Sequence, residues 1–313
     1  MRAITVTEYG AKPAMAKVPK PKPSRGQVLL KLRAAGMNPM DRTLASGDWR
    51  PMPATFPMVL GADGAGVVEK LGAGASKFSV GDDLFFQLLI PPLGSVGTYA
   101  EYVAVTEDAP LARVPEGLDD VVAAALPTAG GAGLSVVDLL EPLAGKTVLI
   151  VGAAGGVGSF ATQFAVNAGA NVIANARAED AERMRSYGAK ETIDHTTTSL
   201  PTAVRQAHPD GIEALLDLVS DATGFAALAT LVRRGGTAVT TQYVADEKGL
   251  AAAGISAINF ALQPSSELLE RVAGAVADGR IVAPPISHIS LEEAPALSAA
   301  QARPASGKTV ITL

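Results

Sequence analysis

The sequence contains no cysteine in its 313 residues. A chain without thiols cannot form disulfide bonds, and it offers zinc none of the cysteine ligands that many zinc sites use. Its three histidines, His195, His208 and His288, lie far apart in the sequence, which argues against a site built from histidine alone. We therefore predict that the chain binds no metal.

Long apolar runs and dense basic clusters are absent as well. No stretch approaches the ~18–20 apolar residues that a membrane-spanning helix requires, and the first ten residues lack the apolar core of a signal peptide. Acidic residues outnumber basic ones by 31 to 26, and the basic residues between positions 17 and 25 are separated by prolines. These features predict a soluble, cytoplasmic protein with neither a membrane nor a nucleic acid as its partner.

What the sequence does contain is enough apolar material for two packed domains. Hydrophobic residues make up 48% of the 313 residues, and a chain of this length commonly folds as more than one domain. Residues 1–120 combine short alternating segments, such as 27–34, 64–69 and 99–105, with frequent glycine and proline. This texture predicts a compact, barrel-like β domain.

The chain beyond residue 120 alternates strands with helices. Strands are predicted at 147–151, 171–174, 191–193, 214–218 and 237–240, and helices at 160–168, 178–187 and 225–232. Alternation at this spacing is typical of a parallel sheet with right-handed crossovers. Helices at 268–277 and 291–300 and a strand at 308–313 fall outside the alternation. The predicted fold class is therefore α/β, a Rossmann-type doubly wound parallel sheet together with the β domain.

A glycine-rich turn follows the first strand of this alternating region. Its candidate cofactor-binding residues are Gly152, Ala154, Gly155, Gly156, Val157 and Gly158. Small residues permit a tight turn and a close approach of the backbone to a pyrophosphate, and the helix that follows offers free N–H groups to the phosphates. The pattern predicts a dinucleotide site. The alternative is a tight structural turn in a domain that binds no nucleotide.

The end of the second strand indicates which dinucleotide is bound. Enzymes that use NAD usually place an acidic residue there, about 20 residues after the glycines, to hold the ribose 2′-hydroxyl. Here the strand leads through Asn175 to Arg177, and no acid occurs before Glu179. A guanidinium can pair with a 2′-phosphate, so NADPH is the predicted cofactor. Arg177 could instead be a solvated residue at a helix start.

Two further polar residues are candidates for the chemistry. Ligands of parallel sheets bind beyond the carboxyl ends of the strands, and Tyr243 follows the strand at 237–240. We therefore consider Tyr243 a proton donor or a wall of the site. Thr128 comes directly after Ala-Leu-Pro at the entry to the alternating region. Its hydroxyl either contacts the carboxamide of the nicotinamide or caps a helix.

Several segments, in order, carry a resemblance to a known family. They are 35–41 (AGMNPMD), 61–68 (GADGAGVV), 80–85 (VGDDLF), 97–102 (GTYAEY), 124–127 (AALP), 153–158 (AAGGVG) and 307–310 (GKTV). Together they resemble the medium-chain dehydrogenase/reductase superfamily, over nearly the whole chain, and within it the zinc-independent quinone oxidoreductases. Zinc-dependent relatives carry a cysteine ligand where this sequence has Met37 and Asn38.

The resemblance implies a GroES-like catalytic domain, residues 1–121 and 262–313, split around a Rossmann domain, residues 122–261. It also implies that NADPH binds in the cleft between them and delivers hydride to a quinone or to the β-carbon of an enone. Asn38 is implied as a donor or orienting group near the nicotinamide, although it could equally form an Asx turn with Pro39. Asn259 and Lys308 are implied as cofactor contacts, while Asp41 is either structural or orients its neighbours.

Other functions stay open on the sequence alone. The acceptor could be an acyl thioester or polyketide-like enone, or the chain could be an NADPH-binding redox sensor or partner protein with little turnover. Related enzymes carry tyrosines in the stretch after the Asn38 motif, where this sequence has Thr43 and Trp49. Trp49 could stack on a flat acceptor or serve as a lid residue. Homodimers are common in the superfamily, although no segment of this sequence demands one.

Overall fold

The structure is a computed structural model that describes residues 1–48, 52–299 and 306–313. The chain forms two compact units. The first unit comprises Met1–Gly131, Pro264–Pro304 and Lys308–Leu313, and the second comprises Ala132–Gln263 and Ala305–Gly307. The functional domain boundaries at 121/122 and 261/262 stay a prediction, because compactness alone does not assign a role to either unit.

The amino-terminal part of the first unit is rich in strands. Its strands are β1 (Arg2–Val6), β2 (Ala14–Lys17), β3 (Gln27–Met37), β4 (Met58–Val59), β5 (Asp63–Leu71), β6 (Asp83–Gln87), β7 (Tyr102–Thr106) and β8 (Leu111–Arg113). Its helices are α1 (Pro39–Ser46), α2 (Asp120–Ala125) and α3 (Pro127–Leu140), the last of which continues into the second unit.

The second unit contains strands that alternate with helices. The strands are β9 (Thr147–Val151), β10 (Asn171–Asn175), β11 (Glu191–Ile193), β12 (Ile212–Asp217), β13 (Val232–Thr240) and β14 (Ser256–Asn259). The helices are α4 (Gly156–Asn167), α5 (Ala181–Ser186), α6 (Leu200–Ala207), α7 (Ala222–Ala229) and α8 (Glu247–Ala252). The chain then returns to the first unit as α9 (Ser266–Ala277), β15 (Ile286–Ser290), α10 (Ala294–Ala299) and β16 (Lys308–Thr312).

Strand β3 organises the first unit. Its apolar residues, such as Val28, Leu30 and Leu32, are buried and pack into a core with residues of β5, β6 and β7. The sheet has the order β15-β16-β3-β5-β6-β8, and β7 also pairs with β3. Because β16 pairs with β3 from Met37 back to Ala34, the end of β3 and the start of β16 lie side by side. The candidate catalytic residue Asn38 directly follows this edge.

The second unit is a six-stranded sheet in the order β11-β10-β9-β12-β13-β14. Every neighbouring pair is parallel, and numbered within the unit the order reads 3-2-1-4-5-6, that of the dinucleotide-binding fold. The prediction of a doubly wound parallel sheet is therefore confirmed. The order reverses between β9 and β12, where such sheets bind their ligands at the carboxyl ends of the strands.

Some helix limits differ from those predicted from periodicity. The helix predicted at 225–232 is α7, Ala222–Ala229, because the Asp221 side chain accepts a hydrogen bond from the Gly224 N–H and starts the helix earlier. The helix predicted at 178–187 is a 3-10 turn followed by the short helix α5. Within the described ranges, no helix is both long and apolar enough to cross a bilayer.

Candidate functional site

The glycine-rich turn lies at the carboxyl end of β9. Gly152 has φ +81°, in the left-handed region that favours glycine. A hydrogen bond of 3.1 Å from the Gly155 N–H to the Gly152 carbonyl closes the turn. Gly155 is the N-cap of α4 and has extended dihedral angles, φ −72° and ψ 177°. The first N–H groups of α4 therefore have no carbonyl partner within the helix and can meet an anion.

Gly158 sets how closely α4 packs on the turn. A Cβ at this position would overlap the carbonyl oxygen of Gly152 and lie 2.6 Å from the Ala153 Cα. Only glycine allows this junction. Gly158 is buried, whereas the residues from Ala154 to Val157 are partly exposed. The turn thus combines open backbone with a tight strand–helix junction, and these residues fit the pyrophosphate of a dinucleotide.

The turn after β12 lies beside Gly152. Asp217 pairs in register with Val151 of β9, and its buried Oδ1 accepts hydrogen bonds of 3.0 Å from the N–H groups of Val219 and Ser220. A Cβ at Gly152 would lie 2.9 Å from the Val219 Cγ1. Val219 is 62% exposed, so this turn presents an aliphatic surface next to the glycines that a flat ring system could cover.

The loop after β13 carries Tyr243. Its φ of +58° is the one positive value among the non-glycine residues of the described chain, and such backbone strain concentrates at ligand sites. The Tyr243 side chain is 58% exposed. Asn259, at the end of β14, holds the loop: its Oδ1 accepts from the Ala245 N–H (2.9 Å) and its Nδ2 donates to the Ala245 carbonyl (3.1 Å). The amide of Asn259 is therefore engaged with this loop.

Arg177 lies just beyond β10 as the N-cap residue of the 3-10 turn. The residue is exposed, and among the described residues no hydrogen bond or ion pair engages its guanidinium. At the end of β10, Asn175 is buried and its Nδ2 donates to the Ile193 carbonyl (3.1 Å). A neutral amide thus occupies the strand end at which enzymes specific for NAD place a carboxylate.

The Arg183 side chain holds the glycine turn by hydrogen bonds, a role that the sequence analysis did not predict. Its guanidinium donates to the Ala154 carbonyl (3.1 Å), to the Ser159 hydroxyl (3.0 Å) and to Asp180 (2.6 Å). The same carbonyl also accepts from the Gly307 N–H at 3.0 Å. No motif marks this arginine, because its partners are 3 to 123 residues away along the chain.

In the first unit, the side-chain amide of Asn38 is held at both ends. Its Nδ2 donates to Asp63 Oδ2 (2.9 Å), and its Oδ1 accepts from the Lys308 ammonium (2.7 Å). Asn38 is also the N-cap of α1, where the Asp41 carboxylate accepts from its backbone N–H at 2.7 Å. The residue is therefore nine-tenths buried within a network of polar groups.

Asp63, at the start of β5, joins Asn38 to Thr128. Its Oδ1 accepts from the Thr128 hydroxyl at 2.6 Å and its Oδ2 from the Thr128 N–H at 3.0 Å. Thr128 is the second residue of α3 rather than its N-cap. The Thr128 hydroxyl also accepts from Gln87 Nε2 at 3.3 Å. Asp63 is fully buried, and sequence analysis did not identify it as a site residue.

The charges of this network are withdrawn from solvent. Burial lowers the pKa of Lys308, against the attraction of Asp63 and Asp41. Burial also raises the pKa of Asp63, an effect that Lys308 opposes, and it raises the pKa of Asp41 to about 7, although the Tyr99 hydroxyl donates to that carboxylate at 2.6 Å. The Lys308 ammonium also donates to the Met37 carbonyl (2.8 Å) and lies 3.9 Å from Asp63 Oδ2.

The structure thus gathers the candidates into separate groups within each unit. Asn38, Thr128 and Lys308 meet around Asp63 in the first unit, and in the second unit the glycines, Arg177, Tyr243 and Asn259 lie at or beyond strand ends. Trp49 lies outside the described residues. Across the described ranges, no group of three histidine, aspartate or glutamate residues could hold a metal ion.

Two family models match the sequence. The alcohol dehydrogenase GroES-like domain matches residues 24–116, and the zinc-binding dehydrogenase domain matches residues 156–265. The first match covers the strand-rich part of the first unit. It confirms the GroES-like architecture predicted there, while the second lies on the parallel sheet.

Curated relatives named as quinone and alkenal/one oxidoreductases match the sequence. The chain is 35% identical over 209 residues to the chloroplast envelope quinone oxidoreductase homolog of Arabidopsis thaliana, which covers 63% of this chain and 62% of that protein. It is 32% identical over 248 residues to the chloroplastic NADPH-dependent alkenal/one oxidoreductase of the same plant, covering 76% and 62%. The quinone oxidoreductase of Rattus norvegicus is 31% identical over 233 residues, covering 71% and 67%.

Solved structures match over the whole chain. The quinone oxidoreductase from Coxiella burnetii superimposes with a TM-score of 0.86 at 25% identity, covering 100% of this chain and 99% of that one. An alcohol dehydrogenase superfamily protein from Novosphingobium aromaticivorans superimposes with a TM-score of 0.85 at 27% identity, with the same coverage. The sequence alignments with the first two relatives above span only about three fifths of their length, whereas the structural matches are complete.

Proposed function

The chain belongs to the medium-chain dehydrogenase/reductase superfamily, in its quinone oxidoreductase-like branch, and we propose that it is an NADPH-dependent oxidoreductase that transfers hydride to a quinone or an α,β-unsaturated carbonyl without zinc. The observation that carries the proposal is the glycine turn at the carboxyl end of β9, which leaves the first N–H groups of α4 without helix partners. This turn lies where the strand order of the sheet reverses, between β9 and β12. Relatives named as quinone oxidoreductases support the reaction class.

The preference for NADPH rests on the end of β10. The glycine turn, from Gly152 to Gly158, would hold the pyrophosphate, and the exposed Arg177 would pair with the 2′-phosphate. Asn175 adds no negative charge at that strand end. Asn259 would act by holding the loop that carries Tyr243, and Lys308 through the amide of Asn38, to which it donates.

The chemistry follows from which charges develop. A reduced nicotinamide held by the glycine turn would supply hydride to the β-carbon of an enone, and the C=C π electrons would move toward the carbonyl oxygen. That oxygen would become negative, and an N–H group of Asn38 would stabilise it. Thr128 would accept a hydrogen bond from the carboxamide of the cofactor. The final proton, at the α-carbon, would come from water or from the hydroxyl of the exposed Tyr243.

Titration of the purified chain with NADPH and NADH tests the proposal. Nicotinamide fluorescence gives both dissociation constants, and subsequent addition of 1,4-benzoquinone, 2-cyclohexenone or an enoyl thioester gives the rate of cofactor oxidation with each acceptor. We expect tighter binding of NADPH and its oxidation by quinone or simple enone. Oxidation only by the thioester would assign the chain to acyl chemistry.

Two other outcomes would redirect the assignment. Tight NADPH binding without oxidation by any acceptor would favour a redox sensor or partner protein, because the intact glycine turn accounts for binding alone. If neither cofactor bound, the turn would be a structural element, and the proposed reductase activity would have to be abandoned.

A further inference from the structure

Hydrogen-bond direction in the network around Asn38 is determined by its charged members. An ammonium group only donates hydrogen bonds, and an ionised carboxylate only accepts them. Lys308 donates to one end of the Asn38 amide at 2.7 Å, and Asp63 accepts from the other at 2.9 Å. The amide therefore has one orientation, with its oxygen toward Lys308, and its second Nδ2–H is not used by either partner.

Thr128 is fixed in the same way. Its hydroxyl lies 2.6 Å from Asp63 Oδ1, and its N–H lies 3.0 Å from Oδ2. Because Oδ2 also accepts from Asn38, obligatory N–H donors converge on this carboxylate. The single hydroxyl proton of Thr128 is thus committed to Asp63, and the oxygen keeps only lone pairs for other partners. Gln87 Nε2, at 3.3 Å, donates to one of them.

We propose that Asp63 is a positioning residue that sets the hydrogen-bond polarity of this site, that is, which side chains donate to a ligand and which accept from it. With Asp63 in place, Asn38 keeps one unused N–H donor, and the Thr128 hydroxyl can only accept. The inference rests on the proposed function in one respect, since the spare donor is assigned to the oxygen of the electron acceptor. It adds a restriction on that acceptor. The substrate must present a hydrogen-bond-accepting oxygen such as a carbonyl, and Thr128 cannot deliver a proton to it.

A purely structural role for Asp63 makes a different prediction. Asp63 is fully buried beside Lys308, and a buried charge without its partner is strongly destabilising. Asp63→Asn would then act only by leaving the buried Lys308 ammonium without its carboxylate partner. Removing that ammonium as well would restore both stability and kcat. If Asp63 sets polarity, the double variant Asp63→Asn/Lys308→Met regains stability, but the amide at position 63 offers one accepting oxygen in place of two and adds N–H donors, so it cannot orient both Asn38 and Thr128.

The experiment compares the full chain with Asp63→Asn, with Lys308→Met, which removes the ammonium but keeps the carboxylate, with the double variant and with Asp108→Asn, a control on an exposed carboxylate. Urea unfolding measures stability, and steady-state kinetics with NADPH and 1,4-benzoquinone separate kcat from KM. We expect kcat to fall roughly 100-fold in both Asp63 variants, the scale of losing one oriented donor, with KM changed less than threefold. The control should match the wild type. Recovery of kcat together with stability in the double variant would overturn the proposal.

A second measurement tests the orienting role of Asp63 without catalytic turnover. In the ligand-free chain labelled with nitrogen-15, the side-chain amide signal that disappears in Asn38→Ser reports on Asn38. We expect one of its two protons to be shifted downfield by the carboxylate in the wild type and to lose this shift in the double variant. An unchanged signal would refute the role of Asp63. If the wild type oxidises no NADPH with any acceptor, the proposed function fails, yet this signal still tests the polarity.

Discussion

Single side chains carry the proposed cofactor preference and the electrostatics of this chain. Arg177 is exposed and has no partner among the described residues. Three other charged side chains are buried, and all of them hydrogen-bond to Asn38: Asp41, Asp63 and Lys308. An exposed charge can be removed at little cost to the fold. A buried one affects both stability and its dependence on pH, so the two kinds of residue call for different experiments.

Replacing Arg177 with alanine should weaken NADPH binding and leave NADH binding nearly unchanged. A charge-assisted contact with the 2′-phosphate contributes on the order of 1.5–3 kcal/mol, so we expect at least a tenfold rise in the dissociation constant for NADPH. Fluorescence titration at low and high salt measures it, and the wild-type preference should shrink as salt rises. Arg185→Ala removes the same charge from an arginine bonded to Thr192 and serves as the control. Equal losses for both cofactors would remove Arg177 from the phosphate site.

Asp41 should make the chain less stable as the pH rises from about 4 to about 7. Burial raises its pKa from the ordinary 3.8 to about 7 in the folded state, so between these values the folded chain holds a proton there that the unfolded chain has already lost. This contribution is fully present below the unfolded pKa and is lost as pH approaches the folded one, by up to about 4 kcal/mol.

Asp41→Asn cannot titrate at this position and provides the comparison. Urea unfolding at several pH values should show the stability of the wild type relative to this variant falling between pH 4 and pH 7. A constant difference across that range would mean that the carboxylate ionises normally in the folded chain.

At the scale of elements, the junction of β9 and α4 is the least tolerant part of the second unit. Gly158→Ala would place a methyl group against the Gly152 carbonyl and the Ala153 Cα, so α4 must move away from the turn. We expect a loss of about 2–3 kcal/mol in the free energy of unfolding together with weaker NADPH binding, measured by urea unfolding and by fluorescence titration.

Gly274→Ala in α9 is the matched control for this prediction. A Cβ at Gly274 meets nothing within 4 Å, and the residue lies in the interior of a helix. Alanine there should stabilise the chain by about 0.5–1 kcal/mol and leave cofactor binding unchanged. Similar destabilisation by both substitutions would show that the tight junction is not the cause.

The elements also show how far the sequence alone could lead. The strand at 147–151, the glycine turn and the parallel alternation were predictable because buried strands and small-residue turns are local patterns. Asp63 and Arg183 were not, because their partners are distant in sequence: Asp63 bonds to Thr128, 65 residues away, and Arg183 to Ala154. Lys308 was suggested by resemblance as a cofactor contact, but its bonds to Met37 and Asn38 appear only in the fold.

For the whole molecule, the absence of cysteine bears on the proposed substrates. Quinones and enones are electrophiles that add to thiolates, and this chain contains no thiol. Incubation with iodoacetamide, followed by its removal, should therefore leave NADPH binding intact. Loss of binding after such treatment would reveal another reactive group near the site.

Val219→Cys supplies the missing thiol beside the glycine turn. Because Val219 is 62% exposed and adjacent to Gly152, alkylation of this variant should block NADPH binding, and bound NADPH should slow the alkylation. If the alkylated variant still bound NADPH normally, the dinucleotide would lie elsewhere.

The pairing of β16 with β3 has a consequence for folding during synthesis on the ribosome. Lys308 reaches Asn38 across 270 residues of chain, and at 5–20 residues per second translation takes about 14 to 54 s to cover that distance. During this interval the edge of β3 from Ala34 to Met37 has no partner, and Asn38 and Asp63 have no ammonium beside them. The nascent chain therefore carries an unpaired strand edge until β16 has been made, and such edges are a feature that chaperones protect. Limited proteolysis of ribosome-arrested chains, stalled before and after β16 emerges, would reveal this edge as greater cleavage near β3 in the shorter chain.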